Sequence, residues 1–243
     1  FLSCCLPAAE PLRVCATIPD LGDLVRAVGG NEVMVMVFAR GGEDPHAVDP
    51  SPGFAKALAC ADLVVSVGLE LEIGWLPTVV AQAGNPRLAT GQLGWFESGS
   101  AIRPIGVQER PVDDGHGHSH GSDGHVHSAG NPHFLSDPVC GVQVAKAVAI
   151  RLGRLAPERA AVFLAHYRAF ALTVATRLLG EAVVARVGDD AVIAAVDSDQ
   201  LAGVIGDGAD LAGWLGLMVP VHGSPVIADH DLWRYFSRRF GVP

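Results

Sequence analysis

Residues 12–38 read LRVCATIPDLGDLVRAVGGNEVMVMVF. Positions 12–17 are mostly apolar and are followed by Pro19, after which Leu21, Leu24, Val25 and Val28 recur at helical spacing until Gly29 and Gly30 stop the pattern. Residues 33–38 are a second apolar run, rich in Val. The order is strand, helix, strand, and it repeats at once: Ser51-Pro52 opens a helix through Ala55, Leu58 and Ala59, and 63–67 is the next buried strand. Strands that alternate with helices predict a parallel sheet and an α/β fold.

Farther along, 70–83 reads as another helix and 87–106 as short strands and turns. From 110 to 131 the chain turns to Gly, Ser, Asp and His with almost no apolar residue, which predicts a flexible loop. Asp137-Pro138 starts a helix to about 154. Pro157 starts a second through Phe163, Tyr167, Phe170, Val174 and Leu178 to about 182, with Pro well placed at the first turn of both. Gly206, Gly208, Gly213 and Gly216 punctuate short apolar pieces in 183–221, a stretch that takes no evident role. Residues 225–228 are a strand candidate, and 229–240 the helix after it.

At 243 residues with 49% hydrophobic content the chain is long and apolar enough for a globular core. Only 18% of residues are charged, and there are 29 Gly and 16 Pro, as in an α/β protein with many tight turns. The net charge of −9 argues against nucleic acid, whose phosphates need a Lys/Arg excess. Mean hydropathy is +0.33, yet no stretch reaches the roughly 20 uninterrupted apolar residues of a bilayer span. Even 142–179 is broken by Lys146, Arg151, Arg154, Glu158 and Arg159. A soluble mature chain is expected.

Residues 1–9 resemble the tail of a signal segment, so export is expected. Leu2-Ser3-Cys4-Cys5 faintly resembles a lipoprotein cleavage box, in which a Cys would carry a lipid anchor, although a Cys directly before the anchoring one is unusual. Cysteines 4, 5, 15, 60 and 140 form no CxxC pair. Cys15, Cys60 and Cys140 sit in apolar runs and are expected to be small buried hydrophobes.

Two segments share a pattern: Asp44-Pro45-His46-Ala47-Val48-Asp49-Pro50 and Asn131-Pro132-His133-Phe134-Leu135-Ser136-Asp137-Pro138. In each, a His follows a Pro and precedes an Asp-Pro. Proline fixes its own φ and restricts the residue before it, so both imidazoles ride on stiff, non-helical backbone, as a metal ligand should. Either segment alone could be an ordinary helix-starting turn with an exposed His; the repetition weakens that alternative. His230 falls where the 225–228 strand hands over to a helix, a place where ligand-binding residues of α/β sheets gather, although a lone His there is more often a neighbour of a helix cap.

The segments together resemble the solute-binding proteins of zinc and manganese ABC importers. The matches are the Asp44-Pro45-His46 loop, Gly68-Leu69-Glu70-Leu71-Glu72 with Trp75-Leu76, the Asn131-Pro132-His133 loop ending in Asp137-Pro138, and His230-Asp231-Leu232-Trp233-Arg234-Tyr235-Phe236 followed by Phe240-Gly241. Their order and spacing agree from about residue 12 to the end. The resemblance implies two βα lobes with parallel sheets joined by a long rigid helix: a metal-binding lobe at 10–156 that includes the His-rich loop at 110–131, a linking helix at 157–182, and a second lobe beginning at 183–243 and apparently truncated. It implies that Zn2+ is held in the interlobe cleft by His46, His133 and His230 and passed to the membrane permease of an ABC importer. The protein is then a periplasmic or otherwise extracytoplasmic monomer, and not an enzyme.

In the resembled family a fourth ligand, Asp or Glu, comes from late in the second lobe, beyond where this sequence stops. Either the sequence is a fragment, or water or a nearby carboxylate such as Glu43 fills the position. His116, His118, His120, His125 and His127 form a tract of the kind that binds transition metals loosely, here as an accessory site, and imidazole favours zinc over manganese. A disordered linker with incidental histidines is the bland alternative. His166 and His222 are expected to be structural. Three other functions compete: an Mn2+ or Fe2+ carrier of the same fold, a zinc metallochaperone or adhesin without an importer, and a zinc hydrolase. The last needs an open coordination position and a general base, and no HExxH helix is present.

Overall fold

A computed structural model describes residues 10–107, 128–228 and 231–243. Strands β1 (Leu12–Ala16), β2 (Val33–Val37), β3 (Leu63–Ser66) and β4 (Trp95–Glu97) form a four-stranded sheet in the order β2-β1-β3-β4. Every pairing is parallel, with Val14 opposite both Val35 and Leu63, and Val65 opposite Phe96. Helices α1 (Pro19–Gly29), α2 (Pro52–Ala59) and α3 (Leu76–Ala83) lie in the connections, each with a proline in its first turn.

The alternation along β1 explains why the sheet is covered on both faces. Val14 and Ala16 join α1 residues Leu21, Val25 and Val28 in one core, whereas Cys15 joins Leu58, Trp75, Leu76 and Val79 in the other. The strand β3 (LVVS) is buried at every position. The helix expected at 70–83 begins only at Leu76, because Gly68, Leu69 and Glu70 have φ of 75°, 52° and 68°, a left-handed run that no α-helix contains.

Helix α4 (Pro138–Leu155) starts where the Asp137 side chain accepts the Val139 N–H at 2.9 Å. After a 3₁₀ turn at Pro157–Arg159, α5 (Ala160–Leu179) runs 20 residues, about 30 Å at 1.5 Å per residue. Its buried positions, Phe163, Tyr167, Ala171, Ala175 and Leu178, recur every three or four residues and join the core built on α4. These two helices are the ones expected from the Asp137-Pro138 and Pro157 starts.

The described chain after α5 is helical: α6 (Glu181–Val187), α7 (Asp189–Ser198), α8 (Ala202–Ile205), α9 (Trp214–Met218) and α10 (Arg234–Phe240). Val192 and Val196 of α7 enter the main core. Asp197 ties three helices together, meeting the Lys146 Nζ at 2.7 Å and the Tyr167 hydroxyl, while its carbonyl accepts from Gln143. The strand expected at 225–228 is not formed. Pro225 has no N–H to give a ladder, and Val226 N donates instead to the Pro243 carbonyl at 3.3 Å. Cys15 and Cys140 are buried as expected, but Cys60 is exposed, because it is the C-cap residue of α2 and lies past its apolar face. Among the described residues no helix is long and apolar enough to cross a membrane.

Candidate metal centre

His46 lies in the loop between β2 and α2, held by partners at both ends. One Asp44 oxygen accepts the His46 backbone N–H at 2.9 Å and also lies 2.8 Å from the ring Nδ1. A carboxylate only accepts, so Nδ1 carries the proton and a neutral ring presents its lone pair on Nε2. The preceding carbonyl, Pro45 O, accepts from the Trp75 indole at 3.0 Å, and Trp75 packs against the stacked Phe38–Phe54 pair.

Trp75 follows the segment whose left-handed turn depends on Glu72. That carboxylate is buried and accepts from Thr17 Oγ1 at 2.6 Å, Val67 N at 2.7 Å and Gly68 N at 3.0 Å. Thr17 and Val67 stand just past the carboxyl ends of β1 and β3, so Glu72 closes that edge of the sheet. Burial pushes its carboxyl above the usual carboxylate range, against the opposing pull of the three hydrogen bonds.

His133 sits just before α4, and its local geometry repeats that of His46. The Asn131 side-chain oxygen accepts the His133 N–H at 2.9 Å, and the His133 carbonyl accepts from Ser136 Oγ at 2.8 Å. The shared Asx-Pro-His pattern is thus a shared turn: the residue two before each His caps its backbone N–H. The His46 and His133 ring centres lie 6.1 Å apart at 60°. Two imidazoles on one zinc, about 2.0–2.1 Å from each nitrogen, have ring centres about 5 Å apart at a tetrahedral angle and at most about 6.4 Å apart. The observed separation is about 1 Å wider than that tetrahedral value and short of the collinear limit, so the two rings are near each other but not at ligating geometry.

His230 lies outside the described residues, as do His116, His118, His120, His125 and His127. Beside them, the Asp231 carbonyl accepts from Asn131 Nδ2 at 2.7 Å, and Ser128 donates through both N and Oγ to Glu70, each at 2.8 Å. Among the described residues no group of three or more His, Cys, Asp and Glu side chains could hold a metal ion. The Glu43 carboxylate accepts the Arg40 N–H at 2.9 Å, closing its own turn. Cys15 and Cys140 have thiols pushed up to about 12, first of all by burial, so neither is a ready thiolate ligand. His166 Nδ1 contacts the Val28 carbonyl at 3.0 Å. Sequence reasoning passed over Asp44, Glu72 and Trp75 as supporting groups. The signal for Asp44 was present, since an Asx two residues before a His is the Asx-turn spacing.

The model of one protein family, described as zinc-uptake complex component A, periplasmic, matches residues 14–177. The high-affinity zinc uptake system protein ZnuA of Yersinia pestis is 23% identical over 239 residues, covering 94% of this chain and 63% of its own length. The manganese-binding lipoprotein MntA of Bacillus subtilis is 35% identical over 80 residues, 33% of this chain and 26% of its own. A crystal structure of ZnuA superposes with a TM-score of 0.63 at 21% identity, over 96% of this chain and 69% of that one, which shows a shared fold. The chain therefore spans less than two thirds of the Y. pestis protein. It belongs to the ZnuA family of periplasmic metal-binding transport components, which are not enzymes.

Proposed function

We propose that this protein captures Zn2+ outside the cytoplasm and hands it to the membrane permease of an ABC importer, with His46, His133 and His230 as ligands. The approach of the His46 and His133 rings to 6.1 Å, from loops far apart in the sequence, carries this reading. Asp44 supports it by leaving Nε2 of His46 as the ring's lone-pair nitrogen. A carrier needs a site closed by protein ligands, since an open coordination position belongs to catalysis. In this reading 10–156 is the first metal-binding lobe, 157–182 the linking helix and 183–243 the start of the second lobe, and the carrier works as a monomer. The His-rich tract is accessory and a lipid anchor is optional.

A manganese carrier is the second reading, favoured by the likeness to MntA. Imidazole nitrogens suit zinc, whereas manganese favours oxygen donors. Competitive titration of the full-length protein with the two ions decides between them, and the same titration on His46→Ala, His133→Ala and His230→Ala tests the ligand set. Zinc held far more tightly than manganese, with loss of tight binding in each variant, is the expected result. Manganese displacing zinc at comparable concentration would overturn the choice of metal, and an unchanged zinc affinity in the variants would overturn the site.

A further inference from the structure

The loop that carries His133 is gripped on both sides of the histidine by α10. On the upstream side Asn131 is buried and makes four hydrogen bonds. Its N–H donates to the Ile105 carbonyl at 2.8 Å, its carbonyl accepts the Tyr235 hydroxyl at 2.9 Å, and its side-chain nitrogen donates to the Asp231 carbonyl at 2.7 Å. The fourth, through the side-chain oxygen, is the bond to His133 N at 2.9 Å. The Tyr235 hydroxyl is itself an acceptor for Ile105 N at 3.1 Å, so one oxygen joins two strands of loop.

On the downstream side Asp137 is fully buried and receives Arg239 Nε at 2.8 Å and Arg238 Nη2 at 3.3 Å, besides capping α4. Arg239 also reaches Asp199, the left-handed C-cap residue of α7. Between Asn131 and Asp137, Phe134 packs edge-on against the Tyr235 ring, with centres 6.3 Å apart. The His133 backbone has both its N–H and its carbonyl satisfied inside this bracket.

We infer that Tyr235 and Arg239 are positioning residues for His133, holding its ring where it faces His46. The inference rests on the ligand set proposed above. A metal site needs its donors within about 0.5 Å of the working geometry, and outer groups that orient a ligand typically matter 10–100-fold in affinity. The His133 loop has little regular structure of its own, a single 3₁₀ turn at Phe134–Ser136, so that precision has to come from what it is tied to. The Tyr235, Arg238 and Arg239 contacts come from α10, and the Asp231 carbonyl in the turn before it takes the Asn131 side chain, so together they bring the segment next to His230 against the His133 loop.

The test is a double-mutant cycle on the full-length protein, read by zinc competition against a chelator and by the visible absorption of bound Co2+. Tyr235→Phe keeps the buried ring and removes only the bridging hydroxyl. Arg239→Lys keeps the charge but not the fork that meets Asp137 and Asp199 together. Each is expected to weaken zinc by about tenfold and to alter the cobalt spectrum. In a His133→Ala background neither should weaken the residual binding further, since a residue that acts through His133 has nothing left to act on. Unchanged zinc affinity in both single variants, or an equal loss with and without His133, overturns the positioning role while leaving the site standing. If His133→Ala itself binds zinc as the parent does, the ligand assignment and this inference fall together. Should Tyr235→Phe fold poorly, Arg239→Lys decides alone.

Discussion

One oxygen of the Asp44 carboxylate holds both the backbone N–H of His46, at 2.9 Å, and its ring Nδ1, at 2.8 Å. The Asp44 side chain is more than half exposed, so as an ion pair it adds little to stability. Its effect is on orientation and tautomer. Asp44→Ala is expected to weaken zinc by about 10–100-fold with little change in thermal stability, and Asp44→Asn less so, because the amide oxygen still accepts. Chelator competition and a melting curve measure the two quantities. Parent-like zinc affinity in Asp44→Ala would show that other contacts orient His46.

The buried Glu72 gives a sharper case, because the obvious neutral replacement does not fit. Its two oxygens face three donors: the Thr17 hydroxyl, Val67 N and Gly68 N. In Glu72→Gln either flip of the amide points an NH2 at one of the backbone N–H groups, leaving a buried donor unmet at about 1–3 kcal/mol. Denaturant unfolding should show that loss even though a buried charge is gone. The pH dependence should change too. With the folded carboxyl raised by burial, the native state binds more protons than the unfolded chain just above the ordinary carboxylate value. The contribution of Glu72 to stability therefore falls as pH rises through that window. Glu72→Gln should lack that slope, and a variant that kept it would place its origin elsewhere.

Much of the fold could be read from residues 12–38, because a parallel sheet covered on both faces leaves near-continuous apolar strands, and proline with glycine marks the helix ends. The Pro157 start likewise announced α5. The failures have local causes. At 70–75 the sequence looked helical, but the backbone turns left-handed at 68–70 around the Glu72 carboxylate, a contact that no periodicity records. At 225–228 a short apolar run had, among the described residues, no neighbouring strand to pair with, and strand formation depends on that neighbour. The likeness of the Asx-Pro-His turns was legible, but their approach to 6.1 Å depends on Trp75, Asn131 and α10, which sequence spacing does not bring together.

The thiols should divide by burial. Cys60 is exposed, while Cys15 and Cys140 are buried with thiols pushed up to about 12. Only the thiolate reacts, so an alkylating reagent near pH 8 should modify Cys60 in the native protein and reach Cys15 and Cys140 only on unfolding. Mass spectrometry of the digested protein reads each site. Rapid native labelling of Cys15 would mean that the core over α2 and α3 opens easily.

Zinc should also appear as stability, because an ion that binds the folded chain and not the unfolded one stabilises it by mass action. Free zinc at about a thousand times its dissociation constant adds roughly 4 kcal/mol. For a domain of this size each kcal/mol moves the melting temperature by about 2–4 °C, so the shift should be on the order of 10 °C. His46→Ala and His133→Ala should melt close to the parent without metal, since both rings are only partly buried, and should lose most of the zinc-dependent rise. The double variant should lose little more, because the shared site has already gone. Scanning calorimetry across zinc concentration tests these statements. A full zinc shift in His133→Ala would mean that the stabilising ion sits away from the His46–His133 pair.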